Sequence, residues 1–392
     1  ETASRDPGPV PLNPKRGSQP MGLSFIEGNE AVAYGAMAAG CRFFAGYPIT
    51  PATTIFNTML KLLPPMGGIC LQGEDEIASI GFCLGAAMSG LKVMTATSGP
   101  GISLYSEQIS FAVGSEIPIV IIDVQRLGPS TGSATRGADG DINFLRWGNS
   151  GGLPVIVLAP VDVRDCFTLT VRAFNLAETY RCPVFIASNK EIGMTRESVD
   201  LEALEKPALV DRAAPPDKAH FQPFQISNGQ TVPYFLPIGD SVPVRQTSST
   251  HGADGYITTD AEEIRSFQRR LQDKLQDSVE HYSYHELIAE NARTLLITYG
   301  VTSRAAAAAC RLAKQQGNPV SLLVLKTLWP VPETLIRRSA RQAERVVVIE
   351  MNLGQYVNEI RRVLPEKPID FFGQMDGRLI TPPQILEVIA RG

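Results

Sequence analysis

CRFFAGYPITPATT, residues 41–54, decides how the rest of this chain is read. Its apolar opening, 41–46, reads as a strand. A turn follows in which Pro48 and Pro51 frame Thr50, and a helix begins at once over 51–62 with proline near its first turn. Proline fixes backbone angles at low entropic cost, so Thr50 is held rigidly beside the free amides of a helix N-terminus. The same order then recurs. Apolar runs at 68–71, 91–98, 117–123, 153–159 and 182–188 read as strands, and 29–39, 75–88, 102–113 and 163–180 as helices. The runs are continuous, as expected of parallel strands covered on both faces. Repeated βα units predict a doubly wound parallel sheet in an α/β domain.

Outward from that core, residues 1–20 hold proline, glycine and charge and read as a linker or tail. The chain starts with Glu1, which reads as a processed or truncated product, with Met21 an older start and room for a domain upstream. The first domain is expected over 21–205. Residues 206–290 are rich in proline and glycine, with one good helix at 260–276, and read as an extended connection or lid. Residues 291–392 resume α/β order, with strands at 294–300, 320–326 and 345–351 and helices at 303–314, 332–344 and 354–363. They predict a second, smaller domain.

Composition narrows the function classes. Apolar residues make up 44% of the 392, enough for a sizeable core, and the net charge of −4 gives no electrostatic reason to bind nucleic acid. No apolar run approaches the roughly 20 residues of a membrane span, and no apolar secretory segment opens the chain, so a cytoplasmic protein is expected. The cysteines, Cys41, Cys70, Cys83, Cys166, Cys182 and Cys310, form no C-x2-C pair and read as small buried hydrophobes. The four histidines, His220, His251, His281 and His285, all fall in the middle segment and read as solvated or capping residues rather than a metal site.

Ligands of open α/β sheets bind beyond the carboxyl ends of the strands. The segments that follow the first-domain strands therefore matter most. They are GYPITPATT (46–54), QGEDEIASIG (72–81) with three clustered acids, TSGPGISL (97–104), a glycine turn into a helix, and DVQRLGPSTG (123–132) with Arg126. Each has a bland alternative. Acids at a helix start are commonly caps, SGPG is a common turn, and a single arginine is commonly a surface charge. Four such features on one sheet edge outweigh those alternatives.

These residues resemble a known family. GNEAVAYGAMAAGCRFFAGYPITPATT (28–54) is similar to the opening of the α subunit of 2-oxoacid:ferredoxin oxidoreductases, in which YPITP is a specific signature. The likeness continues through GEDEIASIGFCLGAAMSG, TATSGPGISL, QRLGPSTG and AFNLAETYRCPVFIAS, and more loosely through a C-terminal domain like that of transketolase. The middle segment matches poorly. The resemblance implies a domain that binds the aminopyrimidine of thiamine diphosphate. Glu76, with Glu74 as fallback, corresponds to the acid at ring atom N1′, which favours the imino tautomer needed to activate the thiazolium carbon. Tyr47, Pro48, Ile49, Thr50, Ser98 and Gly99 complete the implied cofactor contacts. Thr50 and Arg126 correspond to the groups that hold the substrate carboxylate, Arg126 through its bidentate fork. Glu76, Thr50 and Arg126 are thus the implied catalytic set, with Arg136 and Arg146 further candidates for a distal carboxylate.

The motifs GDG and NN, with which thiamine enzymes hold Mg²⁺ and the diphosphate, do not occur in this sequence. The resemblance therefore implies a β chain that carries the Mg²⁺–diphosphate site and a [4Fe–4S] cluster, with ferredoxin as electron acceptor, coenzyme A as co-substrate and a γ region, fused or separate, as a further partner. The implied reaction is oxidative decarboxylation of a 2-oxoacid. PSTGSATRGADGDI (129–142) resembles the 2-oxoglutarate pattern but departs from it at Ser133 and Ala134, which leaves pyruvate and branched-chain 2-oxoacids open. Rival readings are an acetolactate-type synthase, opposed by YPITP, a non-catalytic assembly subunit, opposed by the retained Thr50, Glu76 and Arg126, and an NAD-binding protein, opposed by the lack of G-x-G-x-x-G after a strand.

Overall fold

The computed structural model describes residues 23–204, 207–227, 230–290 and 292–391. The expected tail at 1–20 and Met21 lie outside these residues. The strands are β1 (Leu23–Glu27), β2 (Phe43–Gly46), β3 (Ile69–Gln72), β4 (Val93–Thr97), β5 (Ile119–Gln125), β6 (Ile156–Leu158) and β7 (Pro183–Asn189), followed by β8 (Arg196–Asp200), β9 (His285–Ile288), β10 (Thr294–Tyr299), β11 (Ser321–Leu325), β12 (Thr327–Trp329), β13 (Arg345–Glu350) and β14 (Ile369–Gly373).

Seven of them form one sheet in the order β12-β6-β7-β5-β4-β2-β3. Its neighbours are parallel except β12, which runs antiparallel to β6. Every residue of β5 and β7 is buried, because helices cover both faces. Successive side chains enter opposite cores. Ile119 and Ile121 pack with helix Glu76–Met88, while Val120, Ile122 and Val124 pack with helices Gly28–Ala38 and Val163–Tyr180. The last two helices lie so close that a Cβ on Gly35 would stand 2.6 Å from the Phe167 carbonyl oxygen. The edge strand β3 departs from the expectation of burial on both faces: Ile69 and Leu71 are exposed.

A second sheet has the order β14-β13-β10-β11-β9, parallel except for β9. One face, with Leu295 and Ile297, shares a continuous core with the first sheet, and the other packs against helices Thr302–Gln315 and Pro382–Ala390. Further features lie outside the sequence expectation, among them the antiparallel β1–β8 pair, the addition of β12 to the edge of the first sheet, the edge strands β9 and β14 of the second, and the C-terminal helix. That helix has a readable signal, since Thr381 and Gln384 form a capping box with proline inside the first turn. The helix expected over 102–113 is broken in two at Tyr105.

In the middle segment, helix Ala261–Gln276 docks on the first domain through charge. Arg270 and Lys274 both reach the fully buried Glu116. His251 is a correction to the solvated reading: it is buried, with ring centroids 3.8 Å from Phe224 and 4.5 Å from Phe267. Five of the six cysteines are buried as expected, Cys70 being half-buried. No helix among the described residues is long and apolar enough to cross a membrane.

Candidate active site

The carboxyl ends of β2, β4 and β5 meet along one edge of the large sheet. After β2, Tyr47 and Thr50 are exposed while Pro48 and Ile49 are half-buried. The turn is tied from beneath by the buried Asn29, whose Nδ2 donates to the Pro51 carbonyl at 2.9 Å and to Thr54 Oγ1 at 2.7 Å. Sequence reasoning missed Asn29, which carries no local signal in a helix start.

After β5, Arg126 is buried to 5% exposure, and its Nη1 donates to the Thr50 carbonyl at 2.6 Å. The fold thus brings together the two residues read as carboxylate anchors. Arg126 Nε is buried without a hydrogen-bond partner. It lies over Gly99, where an added Cβ would stand 3.4 Å from it and where φ is +45°. Glycine at 99 answers both the space and the backbone angle. Ser98, beside it, is fully buried with its hydroxyl unpartnered.

The three clustered acids separate by role. Asp75 is the N-cap of helix Glu76–Met88 and accepts from the Ala78 amide at 2.7 Å. Glu74 is exposed. Glu76 is 8% exposed, and among the described residues no donor engages its carboxylate. Its Oε1 overhangs Gly101, where a Cβ would stand 2.9 Å from Oε1 and 2.0 Å from Thr97 Oγ1, itself buried and unpartnered. A buried acid over a glycine floor, with a spare hydroxyl beside it, fits a flat heteroaromatic ring that offers a nitrogen. Burial pushes the nearby Tyr105 phenol above its usual range, the Glu76 charge adds to this, and Thr95 Oγ1 lies 2.8 Å from its oxygen.

The sequence reading also missed three acids behind Arg126. Burial raises Asp123 well above the ordinary carboxyl range, and the Asp141 charge adds to the rise. Asp141 is pushed up to about 6 by burial against the opposing influence of Asp123 and Arg126, and Asp139 to about 7 by burial although Asn189 donates to it at 2.7 Å. Arg136 is exposed, but its carbonyl accepts from Leu127 at 2.8 Å, so its loop folds back beside Arg126. Arg146 is not brought to this edge. Its guanidinium donates to the Leu153 and Gly152 carbonyls and covers the Trp147 ring at 3.9 Å.

The chain is similar to known proteins in sequence and in fold. Residues 34–279 match the family described as "Pyruvate flavodoxin/ferredoxin oxidoreductase, thiamine diP-bdg", and residues 292–385 match "Pyruvate:ferredoxin oxidoreductase core domain II". A 2-oxoglutarate synthase subunit KorA of Methanothermobacter thermautotrophicus is 39% identical, over 94% of this chain and 98% of that one. A 2-oxoglutarate:ferredoxin oxidoreductase from Magnetococcus marinus, solved with 2-oxoglutarate, coenzyme A and succinyl-CoA bound, superposes with a TM-score of 0.90 at 31% identity, over 95% of this chain and 66% of that one. A split-gene transketolase, an inactive β4 tetramer, matches with a TM-score of 0.55 at 12% identity, over 93% of this chain and 96% of that one, and shows a shared fold alone.

Proposed function

This chain belongs to the 2-oxoacid:ferredoxin oxidoreductase family, and from that premise we propose that it is the α subunit of a cytoplasmic enzyme that decarboxylates 2-oxoglutarate oxidatively. The acyl group passes to coenzyme A and the electrons to ferredoxin, or the reaction runs in reverse as carboxylation of succinyl-CoA. In this reading residues 21–205 hold the aminopyrimidine, 206–290 form the connection, and 291–392 the transketolase-like C-terminal domain. A β chain holds Mg²⁺, the diphosphate and a [4Fe–4S] cluster.

Thiamine diphosphate, when bound, supplies the carbon nucleophile and the electron sink of the reaction. The protein groups bind and orient. Glu76 holds a proton at ring atom N1′, which its burial and lack of an internal donor leave it free to do. Tyr47, Pro48, Ile49, Ser98 and Gly99 wall the ring. Arg126, with Thr50, receives the 2-oxoacid carboxylate.

The single observation that carries the reading is the 2.6 Å contact from Arg126 to the Thr50 carbonyl on the sheet edge that also holds the buried Glu76. The test is anaerobic reduction of a viologen dye by the complex purified with its β chain, supplied with coenzyme A, thiamine diphosphate and Mg²⁺. Reduction with 2-oxoglutarate that vanishes in Glu76→Gln supports reaction, substrate and acid together. Reduction only with pyruvate or a branched-chain 2-oxoacid keeps the family and discards the substrate. No reduction with any oxoacid by a loaded complex rejects the enzymatic role.

A further inference from the structure

Two acids behind Arg126, Asp123 and the half-buried Asp141, have no part in the chemistry described so far. Asp123 is fully buried on β5, and Asp141 comes toward it from the loop that returns after Arg126. Asp141 stands at the N-cap of helix Ile142–Trp147, where an aspartate ordinarily accepts from first-turn amides. Here it makes no such bond, and the Asn143 amide donates instead to Gln355 Oε1 at 2.8 Å. The Asp141 amide donates to Gln125 Oε1 at 2.9 Å, which brings its carboxyl beside β5 two residues along from Asp123, and the two carboxyls interact.

Both Asp123 oxygens and Asp141 Oδ2 are nevertheless buried with no donor in hydrogen-bonding geometry. The nearby Gly99 amide favours a charged Asp123 without reaching that geometry. Two carboxylates face to face without a donor do not both ionise, and a proton held between them supplies the missing donor. Asp123 is the more deeply buried of the two, and the Arg126 charge favours the ionised form of Asp141, so the proton belongs on Asp123. The other charged groups around the pair are Asp139, itself under the charges of Glu350 and Glu191, and Arg126.

The charge count gives this proton a consequence. With one proton on the pair, Asp141 and Arg126 cancel. With none, the group is net negative beside the place where an anionic substrate must dock. With two, Arg126 is a buried cation without a counter-ion, which is costly.

We propose that Asp123 and Asp141 hold one proton between them and, as positioning residues for Arg126, set the charge that the 2-oxoacid carboxylate meets. This rests on Arg126 being the carboxylate anchor. Loss of the shared proton at alkaline pH then weakens binding of the oxoacid.

The test uses the assembled complex. KM for 2-oxoglutarate is measured from about pH 6 to about pH 9, with KM for coenzyme A in the same series as control, and the carbonyl stretch of a protonated carboxylic acid is followed by infrared difference spectroscopy. The expected result is a 2-oxoglutarate KM that climbs on the alkaline side, by up to about tenfold per pH unit, while that of coenzyme A does not follow. Asp123→Asn, which mimics the protonated acid, abolishes the climb and removes one acid band from the spectrum. A flat wild-type profile, or an Asp123→Asn complex that still climbs, overturns the proposal. The wild-type band, followed through its own titration, decides the shared proton even where the variant fails to fold. If Arg126→Ala leaves KM unchanged while the band is present, the anchor reading fails and the shared proton stands.

Discussion

Arg126 Nη1 donates to the backbone carbonyl of Thr50 at 2.6 Å, joining the turns that follow β5 and β2 across 76 residues of sequence. The contact uses one guanidinium nitrogen and a main-chain oxygen, so the Thr50 hydroxyl takes no part in it. Losing a hydrogen bond to a charged group costs about 1.5–3 kcal/mol. Arg126→Ala should therefore raise KM for the 2-oxoacid by roughly 10- to 100-fold in steady-state assays of the complex. Arg126→Lys should recover only part of this, because an ammonium has no planar fork. Thr50→Ala should be milder, since it keeps the carbonyl.

Glu76 is a buried acid with no donor among the described residues, so the native fold does not depend on its charge. Glu76→Gln should lower kcat by about 10²- to 10⁴-fold, the range for a positioned proton-transfer group, while leaving the thermal midpoint of the subunit in place.

Gly101 tests the floor beneath that acid. A methyl there would stand 2.0 Å from Thr97 Oγ1 and 2.9 Å from Glu76 Oε1, too close to both. Gly101→Ala should weaken thiamine diphosphate binding to the complex by at least about tenfold, read as an equilibrium constant by titration, before any turnover is measured.

The sequence made some of this legible and hid the rest for physical reasons. The run IPIVII (117–122), most of which lies in β5, reads as a strand because burial on both faces makes it continuously apolar. YPITP shows itself because two prolines in a turn are chemically conspicuous. Asn29 does not, because the carbonyl it holds is 22 residues away. Nothing local in the sequence marks Asp141, and only the fold brings it beside Asp123. β12 spans three residues, too few for any period, and it pairs with a strand about 170 residues earlier. Helix Ala261–Gln276 shows its apolar stripe, Phe267, Leu271 and Leu275, in the sequence, but not the buried charge cluster that helps dock it, because Glu116 lies 154 residues from Arg270.

That cluster carries its own prediction. Glu116 is fully buried, and burial by itself would raise its carboxyl. The Lys274 and Arg270 charges overcome this and hold it well below the usual range. A folded-state value below the unfolded one gives stability that is present above the unfolded value of 4.5 and is lost on acidification below it. Glu116→Gln leaves Lys274, Arg270 and Arg181 without their anion and should cost about 3–5 kcal/mol at neutral pH. Unfolding followed at neutral and acid pH should show the wild-type advantage over this variant shrinking as the pH falls.

Asp139 works in the opposite sense. It ties the two sheets, with its amide donating to the Met351 carbonyl at 2.9 Å and its carbonyl accepting from Asn352 Nδ2 at 2.9 Å. Its carboxyl is raised from 3.8 in the reference state to about 7 by burial, against the donor from Asn189 and with the Glu350 charge adding to the rise. Below 3.8 the acid is protonated in both states and contributes no pH dependence. Between 3.8 and about 7 the unfolded chain gives up the proton and the folded one keeps it, so stability falls as the pH rises, and above about 7 the penalty is constant. Its full size is on the order of a few kcal/mol. Asp139→Asn keeps an oxygen for Asn189 and removes the charge. Its thermal midpoint relative to wild type should therefore improve from pH 5 to pH 8, and a difference that stays constant or reverses would assign the pH dependence of this interface to other groups.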